Sequence, residues 1–145
     1  MSDSLFMGRC IALAQKGLGY TYPNPLVGSV IVHEGKVIAE GWHKKAGRNH
    51  AEREAISKVE DPSILANSSL YVNLEPCDHH GKTPPCSDLI IENKIPRVII
   101  GCLDQNKKVF GKGIKKLEDN GCKVRFGILE SCLLYTSDAA DDVRG

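Results

Sequence analysis

Apolar side chains recur along this chain with two different periods, and these periods predict helices and strands. Over residues 4–17 they return every three or four positions, which is typical of an amphipathic helix. Leu26–Val32 and Val37–Trp42 are apolar runs separated by a short polar segment with one glycine, which predicts a β-hairpin. Helical spacing returns over residues 50–59, so a second helix is expected there.

Strand and helix patterns alternate in the second half of the chain, after Asp61-Pro62 ends the second helix. The predicted segments, in chain order, are a strand at Leu70–Leu74, a helix opened by Pro84-Pro85, a strand at Arg97–Leu103, a helix over 111–119 and a strand at Cys122–Phe126. Such alternation favours parallel strands joined by crossover helices. We therefore expect an α/β fold, a three-layer α/β/α sandwich around a mixed, mostly parallel sheet of about five strands.

Composition narrows the class of protein. The 145 residues suffice for one domain, and 19 basic side chains nearly balance 18 acidic ones, so no bulk charge attracts nucleic acid or an anionic membrane. No apolar run approaches the roughly 20 residues of a membrane span, and the first residues lack the pattern of a secretory signal. We expect a cytoplasmic protein that binds neither nucleic acid nor membrane.

The last residues depart from this order, because no amphipathic period continues beyond Cys132. We therefore expect one domain over residues 1–131. Residues 132–145 are interpreted as a tail of uncertain origin, either disordered or not native to the domain.

The cysteines divide into two groups by their surroundings. Cys10, Cys102 and Cys122 each lie in an apolar stretch, where a free cysteine is expected to be a small buried hydrophobic residue. Cys77 and Cys86 lie instead among proline, glycine, histidine and charged residues. This polar setting makes them candidates for thiolate ligands.

Cys77 and Cys86 combine with His50 and Glu52 into a pattern that indicates metal chemistry. One imidazole and two thiolates are a usual donor set for catalytic zinc, with the fourth position left to water. Zinc lowers the pKa of that water from about 15.7 to roughly 7. In zinc deaminases, H-x-E followed by P-C and a second cysteine places the glutamate over the water as general acid and base. The pattern predicts Zn²⁺ as cofactor and Glu52 as the proton carrier.

Two structural interpretations of the same residues stay open. Asn49 to Glu52 fits a capping box, in which Asn49 caps the second helix and Glu52 reaches back to its amide. Alternatively, His79 or His80 could complete a purely structural zinc site, since such sites have four protein ligands.

The chain resembles the deaminase domain of the bacterial riboflavin-biosynthesis enzymes, the diaminohydroxyphosphoribosylaminopyrimidine deaminases. The resemblance extends from about residue 5 to residue 129. Its motifs are Thr21-Tyr22-Pro23-Asn24-Pro25-Leu26-Val27-Gly28, Gly41-Trp42-His43, Ala46-Gly47, His50-Ala51-Glu52, Leu74-Glu75-Pro76-Cys77, Gly81-Lys82-Thr83-Pro84-Pro85-Cys86 and Asp104-Gln105-Asn106. Eight residues separate Cys77 from Cys86, whereas nucleic-acid deaminases mostly have two.

The resemblance implies a cytidine deaminase-like fold and a hydrolytic reaction. The substrate would be 2,5-diamino-6-(5-phosphoribosylamino)pyrimidin-4(3H)-one, and the products 5-amino-6-(5-phosphoribosylamino)uracil and ammonia. A small phosphorylated pyrimidine is thus the expected partner, and a homo-oligomer stays open because relatives commonly self-associate. By position, the residues that would contact the substrate are Asn24, His43, His79, Lys82, Asp104 and Asn106.

The chain departs from the family pattern in two places. Gln105 replaces the proline of the usual Asp-Pro-Asn, and bifunctional relatives continue into a nicotinamide-dependent reductase domain whose pattern residues 132–145 do not match. No reductase activity is expected of this chain, and whether it is a complete enzyme or a fragment stays open. The alternative functions are a deaminase of another nucleotide or RNA base, and a non-catalytic zinc-bound interaction domain.

Overall fold

Five strands form one mixed sheet in the computed structural model, which describes residues 3–20, 26–44, 50–76, 85–102 and 112–127. The strands are β1 (Gly28–His33), β2 (Lys36–Trp42), β3 (Ser68–Leu74), β4 (Arg97–Cys102) and β5 (Lys123–Arg125). Their order in the sheet is β2-β1-β3-β4-β5. β1 is antiparallel to both β2 and β3, whereas β3, β4 and β5 are parallel. Four strands therefore point the same way, which confirms the predicted mixed sheet.

Alternate residues of the central strands face two separate apolar layers. Helix α1 (Asp3–Gln15) covers one face, where its buried side chains pack against Val30, Val32, Tyr71 and Ile99. The residues next to these in the strands pack in the apolar layer on the opposite face of the sheet. They are Ile31, Leu70, Val72, Val98 and Ile100. This period of two is what a sheet covered on both faces requires.

The second face is covered by three helices and a short 3-10 helix. They are α2 (Ala51–Ser57), the 3-10 helix Pro62–Asn67, α3 (Cys86–Glu92) and α4 (Lys112–Asp119). With α1 on the other face, these helices complete the three layers expected from the sequence. The helices of the described ranges all lack the length and apolarity needed to cross a bilayer.

The region after Asp61 differs from the prediction. Asp61-Pro62 was expected only to break the chain, but the Asp61 side chain accepts a hydrogen bond from Ser63 N (3.1 Å) and begins the 3-10 helix. β3 consequently starts at Ser68, two residues before the predicted position. A short polar side chain competes with the backbone for hydrogen bonds, so such a turn leaves little hydrophobic pattern. Residues 132–145, expected to be a tail, lie outside the described residues.

Candidate functional site

The segments that carry the predicted site residues leave the sheet at one end. Gly28 begins β1 at that end and pairs with Trp42, the last residue of β2. Leu74 ends β3 there and pairs with Cys102, the last residue of β4. Because β1 runs against the other strands, its start lies beside their carboxyl ends. Ligands of open α/β sheets bind outside the carboxyl ends of the strands.

Backbone hydrogen bonds hold the residues just beyond that end. His43 N donates to Val27 O (3.0 Å), which joins the residue after β2 to the segment before β1. Glu75 N donates to Cys102 O (2.9 Å), which joins the residue after β3 to the end of β4. His43 and Glu75 are both buried. The hydrogen bonding of the sheet thus continues for one residue beyond the ends of β2 and β3. It holds in place the first residues of the segments that carry the predicted site.

Asn73 is a further positioning residue that the sequence analysis did not single out. Its side chain is fully buried, its Oδ1 accepts from Gly28 N (2.8 Å), and its Nδ2 donates to Leu26 O (3.0 Å). These two bonds hold the segment entering β1 against β3. An amide inside the otherwise apolar strand Leu70–Leu74 was the available signal, because a buried amide must find hydrogen-bond partners.

Helix α2 presents His50 to this end of the sheet. His50 is its N-cap residue, with extended backbone angles (φ −71°, ψ 163°), and the His50 carbonyl accepts from Glu54 N (3.0 Å). A Cβ atom at Gly41 would lie 2.5 Å from Ala51 O, so only glycine lets the first turn of α2 lie directly on β2. The His50 ring consequently meets the His43 ring edge to face, with centroids 5.4 Å apart.

The start of α2 also corrects the predicted capping box. The helix begins at Ala51, one residue later than expected, and His50 rather than Asn49 occupies the N-cap position. Glu52 is therefore the second helical residue, whereas a capping box needs its acidic residue at the third. Its side chain is only 3% exposed. The register therefore does not support the capping-box interpretation of Glu52.

Helix α3 brings Cys86, one of the two candidate thiolate ligands, close to His50. The sequence predicted a helix opened by Pro84-Pro85. In the structure Pro85 is the N-cap and Cys86 the first residue of the helix. Cys86 Sγ lies 3.4 Å from His50 Nδ1, and the cysteine is buried. Tetrahedral zinc with a nitrogen at about 2.0 Å and a sulfur at about 2.3 Å separates these donors by about 3.5 Å. The observed pair therefore fits a shared zinc ion.

The remaining cysteines of the described ranges are the three that lie in apolar stretches of the sequence. Cys10, Cys102 and Cys122 are buried, which confirms the expectation for all three. Burial raises the pKa of the Cys10 thiol to about 12 and that of the Cys122 thiol to about 11. A thiol with such a pKa stays protonated at neutral pH and is a poor metal ligand.

The other predicted site residues lie outside the described residues and stay predictions. They are Asn24, Cys77, His79, His80, Lys82, Asp104 and Asn106. Among the side chains that are described, no group of three histidines, cysteines, aspartates or glutamates could hold a metal ion. The structure thus brings together His50, Cys86 and His43, with Glu52 two residues beyond His50.

Comparison with known proteins places the chain among deaminase sequences. Residues 1–102 match the family described as the cytidine and deoxycytidylate deaminase zinc-binding region. The chain is 51% identical over 133 residues to the riboflavin biosynthesis protein RibD of Actinobacillus pleuropneumoniae, covering 91% of this chain and 35% of that protein. It is 47% identical over 129 residues to the diaminohydroxyphosphoribosylamino-pyrimidine deaminase of Buchnera aphidicola subsp. Schizaphis graminum, covering 89% of this chain and 86% of that protein.

The fold matches a solved structure of similar sequence. A diaminohydroxyphosphoribosylaminopyrimidine deaminase/5-amino-6-(5-phosphoribosylamino)uracil reductase from Thermotoga maritima superimposes with a TM-score of 0.83 at 50% identity. The match covers 88% of this chain and 37% of that chain. The chain thus spans little more than a third of the Actinobacillus and Thermotoga proteins, but most of the Buchnera one. The cytidine deaminase-like fold implied by the sequence resemblance is confirmed.

Proposed function

Since this chain belongs to the cytidine and deoxycytidylate deaminase family, we propose that it deaminates a pyrimidine of riboflavin biosynthesis. The substrate is 2,5-diamino-6-(5-phosphoribosylamino)pyrimidin-4(3H)-one, whose 2-amino group is replaced by oxygen from water, with release of ammonia. The observation that carries the proposal is the distance of 3.4 Å between Cys86 Sγ and His50 Nδ1. Both residues lie near the end of the sheet where β2, β3 and β4 finish. The Buchnera relative, named as a deaminase of this kind, supports the choice of substrate.

In this proposal the metal site consists of His50, Cys77 and Cys86. Cys77 follows Pro76 directly, and Pro76 lies just beyond β3, at the same end of the sheet as His50. A neutral imidazole and two thiolates balance the charge of a divalent ion. When bound, zinc supplies a water whose pKa is near neutrality. A fourth protein ligand, such as His79 or His80, has no place in this proposal.

Glu52 carries protons during the reaction. Its carboxylate takes a proton from the attacking water and delivers it to the adjacent ring nitrogen. It then moves the proton of the added hydroxyl to the 2-amino group, so that the C–N bond breaks, ammonia leaves and the carbonyl forms. Its burial favours this role, because water that would otherwise exchange the proton is kept away from the carboxylate. Its position two residues after His50 places it in the same helical turn as one metal ligand.

The substrate is bound by polar side chains from several segments. His43 is buried and stacks edge to face with His50, so its ring borders the metal site. By position in the sequence, the other contacts are assigned to Asn24, His79, Lys82, Asp104 and Asn106. Amide, imidazole and carboxylate groups suit the edge of a pyrimidine, and Lys82 suits a carbonyl oxygen or the phosphate.

The test is release of ammonia and formation of the uracil product from the diaminopyrimidinone phosphoriboside by purified, zinc-loaded protein. Single-stranded DNA and tRNA serve as competing substrates. Turnover of the phosphoriboside alone supports the proposal. Uracil or inosine formed in a nucleic acid, without ammonia from the phosphoriboside, would overturn it.

A further inference from the structure

Glu75 makes contacts that join three elements next to the metal site. It follows β3 directly, and its backbone N–H donates to Cys102 O at the end of β4 (2.9 Å). Its Oε2 accepts a hydrogen bond from Gly113 N in the first turn of α4 (3.1 Å). The residue is only 4% exposed. A buried carboxylate is costly unless it is hydrogen-bonded, so this contact with α4 is a specific one.

Pro76 makes a second contact with the same turn of α4. A Cβ atom built on Gly113 would lie 2.4 Å from Pro76 O, well inside the distance that real side chains allow. The Pro76 carbonyl therefore packs directly against the backbone of α4, and any side chain at position 113 would push the two segments apart. Two successive residues, Glu75 and Pro76, are thus held by Gly113, one through its amide and one through its lack of a side chain.

The next residue in the chain is Cys77. On the basis of the proposed function, we infer that Glu75 is a positioning residue for this metal ligand. The contact with Gly113 holds Glu75 and Pro76, the two residues that precede Cys77 in the chain. The amino-terminal end of α4 carries partial positive charge, which strengthens its hydrogen bond to a carboxylate. Loss of this contact removes none of the three proposed zinc ligands, but it frees the segment that leads into Cys77, so zinc is expected to leave faster.

The experiment measures zinc release from the full chain to an excess of a chromogenic chelator, without substrate. Glu75→Ala removes the contact from one side and Gly113→Ala disrupts it from the other. Both are expected to speed zinc release about 10-fold or more, the scale seen when groups supporting metal ligands are changed. Glu75→Gln retains an oxygen that accepts from Gly113 N–H, and it is expected to release zinc at nearly the wild-type rate.

Ser29→Ala is the matched control. Ser29 is fully buried, and its hydroxyl donates to the Tyr71 carbonyl of β3 (2.7 Å) and not to a residue of α4. This variant should lower the thermal midpoint without changing zinc release, which separates positioning from general stability. Zinc release unchanged in Glu75→Ala and Gly113→Ala would overturn the inference, as would equal acceleration in Ser29→Ala or in Glu75→Gln. If Glu75→Ala does not fold, Gly113→Ala decides.

The two proposals can fail separately. Zinc release is read without substrate, so a wild-type protein that releases no ammonia would overturn the proposed function and leave the result for Glu75 standing. An active wild-type protein whose Glu75 and Gly113 variants hold zinc normally would overturn only the positioning role.

Discussion

Glu52 combines a buried carboxylate with a place in the first turn of α2. A carboxylate at this position can serve either as a capping group or as a proton carrier. The helix register argues against a capping box, since His50 and not Asn49 is the N-cap. Proton transfer during catalysis, the proposed role, is compatible with this register.

Glu52→Gln should keep the fold and the zinc while lowering turnover at least ~10²-fold, the usual scale for general acid–base catalysis. Glu54→Gln, in the same helical turn but paired with Lys44 at 3.9 Å, is the control and should stay active. Ammonia release and zinc content are measured together. A folded, zinc-loaded Glu52→Gln protein with normal turnover would contradict the proposed mechanism.

A second prediction at the scale of single residues concerns the cysteines. Cys86→Ala and Cys77→Ala should each abolish tight binding of one zinc per chain, because a catalytic zinc site with two protein ligands binds weakly. Cys10→Ala should keep its zinc, since burial raises the pKa of the Cys10 thiol to about 12 and keeps it protonated. Metal analysis of dialysed protein is the measurement. Full zinc in Cys77→Ala would show that the ligand assignment is wrong.

At the scale of elements, the approach of α2 to β2 links packing with function. Gly41→Ala places a methyl group 2.5 Å from Ala51 O, so α2 must move and His50 moves with it. We expect a loss of ~1–3 kcal/mol in unfolding free energy and weaker zinc binding. Gly8→Ala is the control, because no atom outside its own helix lies within 4 Å of the new methyl group. That variant should be stabilised by ~0.5–1 kcal/mol, as is usual for glycine to alanine in a helix. The measurement is denaturant unfolding of both variants. Equal changes in unfolding free energy for Gly41→Ala and Gly8→Ala would contradict this account.

The contact between α1 and β2 predicts a dependence on pH. Arg9 donates to Glu40 through Nη2 (2.8 Å) and Nε, and this hydrogen bonding holds the pKa of the Glu40 carboxyl below its usual value. The stabilisation is present above the unfolded pKa, about 4.3, and is lost as the pH falls through the lower folded value. Because the pair is partly exposed, Glu40→Gln should cost only ~0.2–1 kcal/mol at neutral pH.

The difference in unfolding free energy between wild type and Glu40→Gln should narrow as the pH falls from about 5 to about 3. Comparing the two proteins at each pH removes the acid sensitivity that they share. High salt at neutral pH should narrow the difference as well. A difference that widens in acid would mean that the carboxylate does not contribute in the way described.

At the scale of the whole molecule, the balance of basic and acidic residues gives little bulk attraction for a polynucleotide. The formal net charge is +1, so binding of a small phosphorylated substrate should weaken only modestly with salt. A nucleic acid that touches six to ten phosphates would lose roughly 10³–10⁵ in affinity between 50 and 200 mM salt. Steady-state kinetics across this salt range is the measurement, and a steep dependence of KM on salt would favour a polynucleotide substrate.

Lys82→Ala should raise KM for the phosphoriboside, because it removes the side chain proposed to bind a carbonyl oxygen or the phosphate.

Much of the fold could be predicted, because hydrophobic periodicity reports local backbone geometry. The strands at Arg97–Cys102 and Lys36–Trp42 lie within one or two residues of their predicted bounds, and α3 begins directly after the two prolines that were predicted to open it. The prediction failed at two helix starts: the 3-10 helix after Asp61, which a side-chain hydrogen bond begins, and α2, whose N-cap His50 makes no side-chain capping bond. The exact start of a helix depends on local backbone geometry and single hydrogen bonds, which leave no periodic pattern.

By itself, the sequence determined which residues form most of the helices and strands, and which cysteines lie in apolar stretches. It also determined which side chains are candidates for binding zinc. Only the tertiary structure decided that β1 lies between β2 and β3, and that His50 meets Cys86 across 36 positions of chain. It also decided that Glu75 reaches Gly113. The physical reason is that periodicity records which face of an element is apolar. Backbone groups are chemically alike in every strand, so the choice of neighbour depends on packing over the whole core.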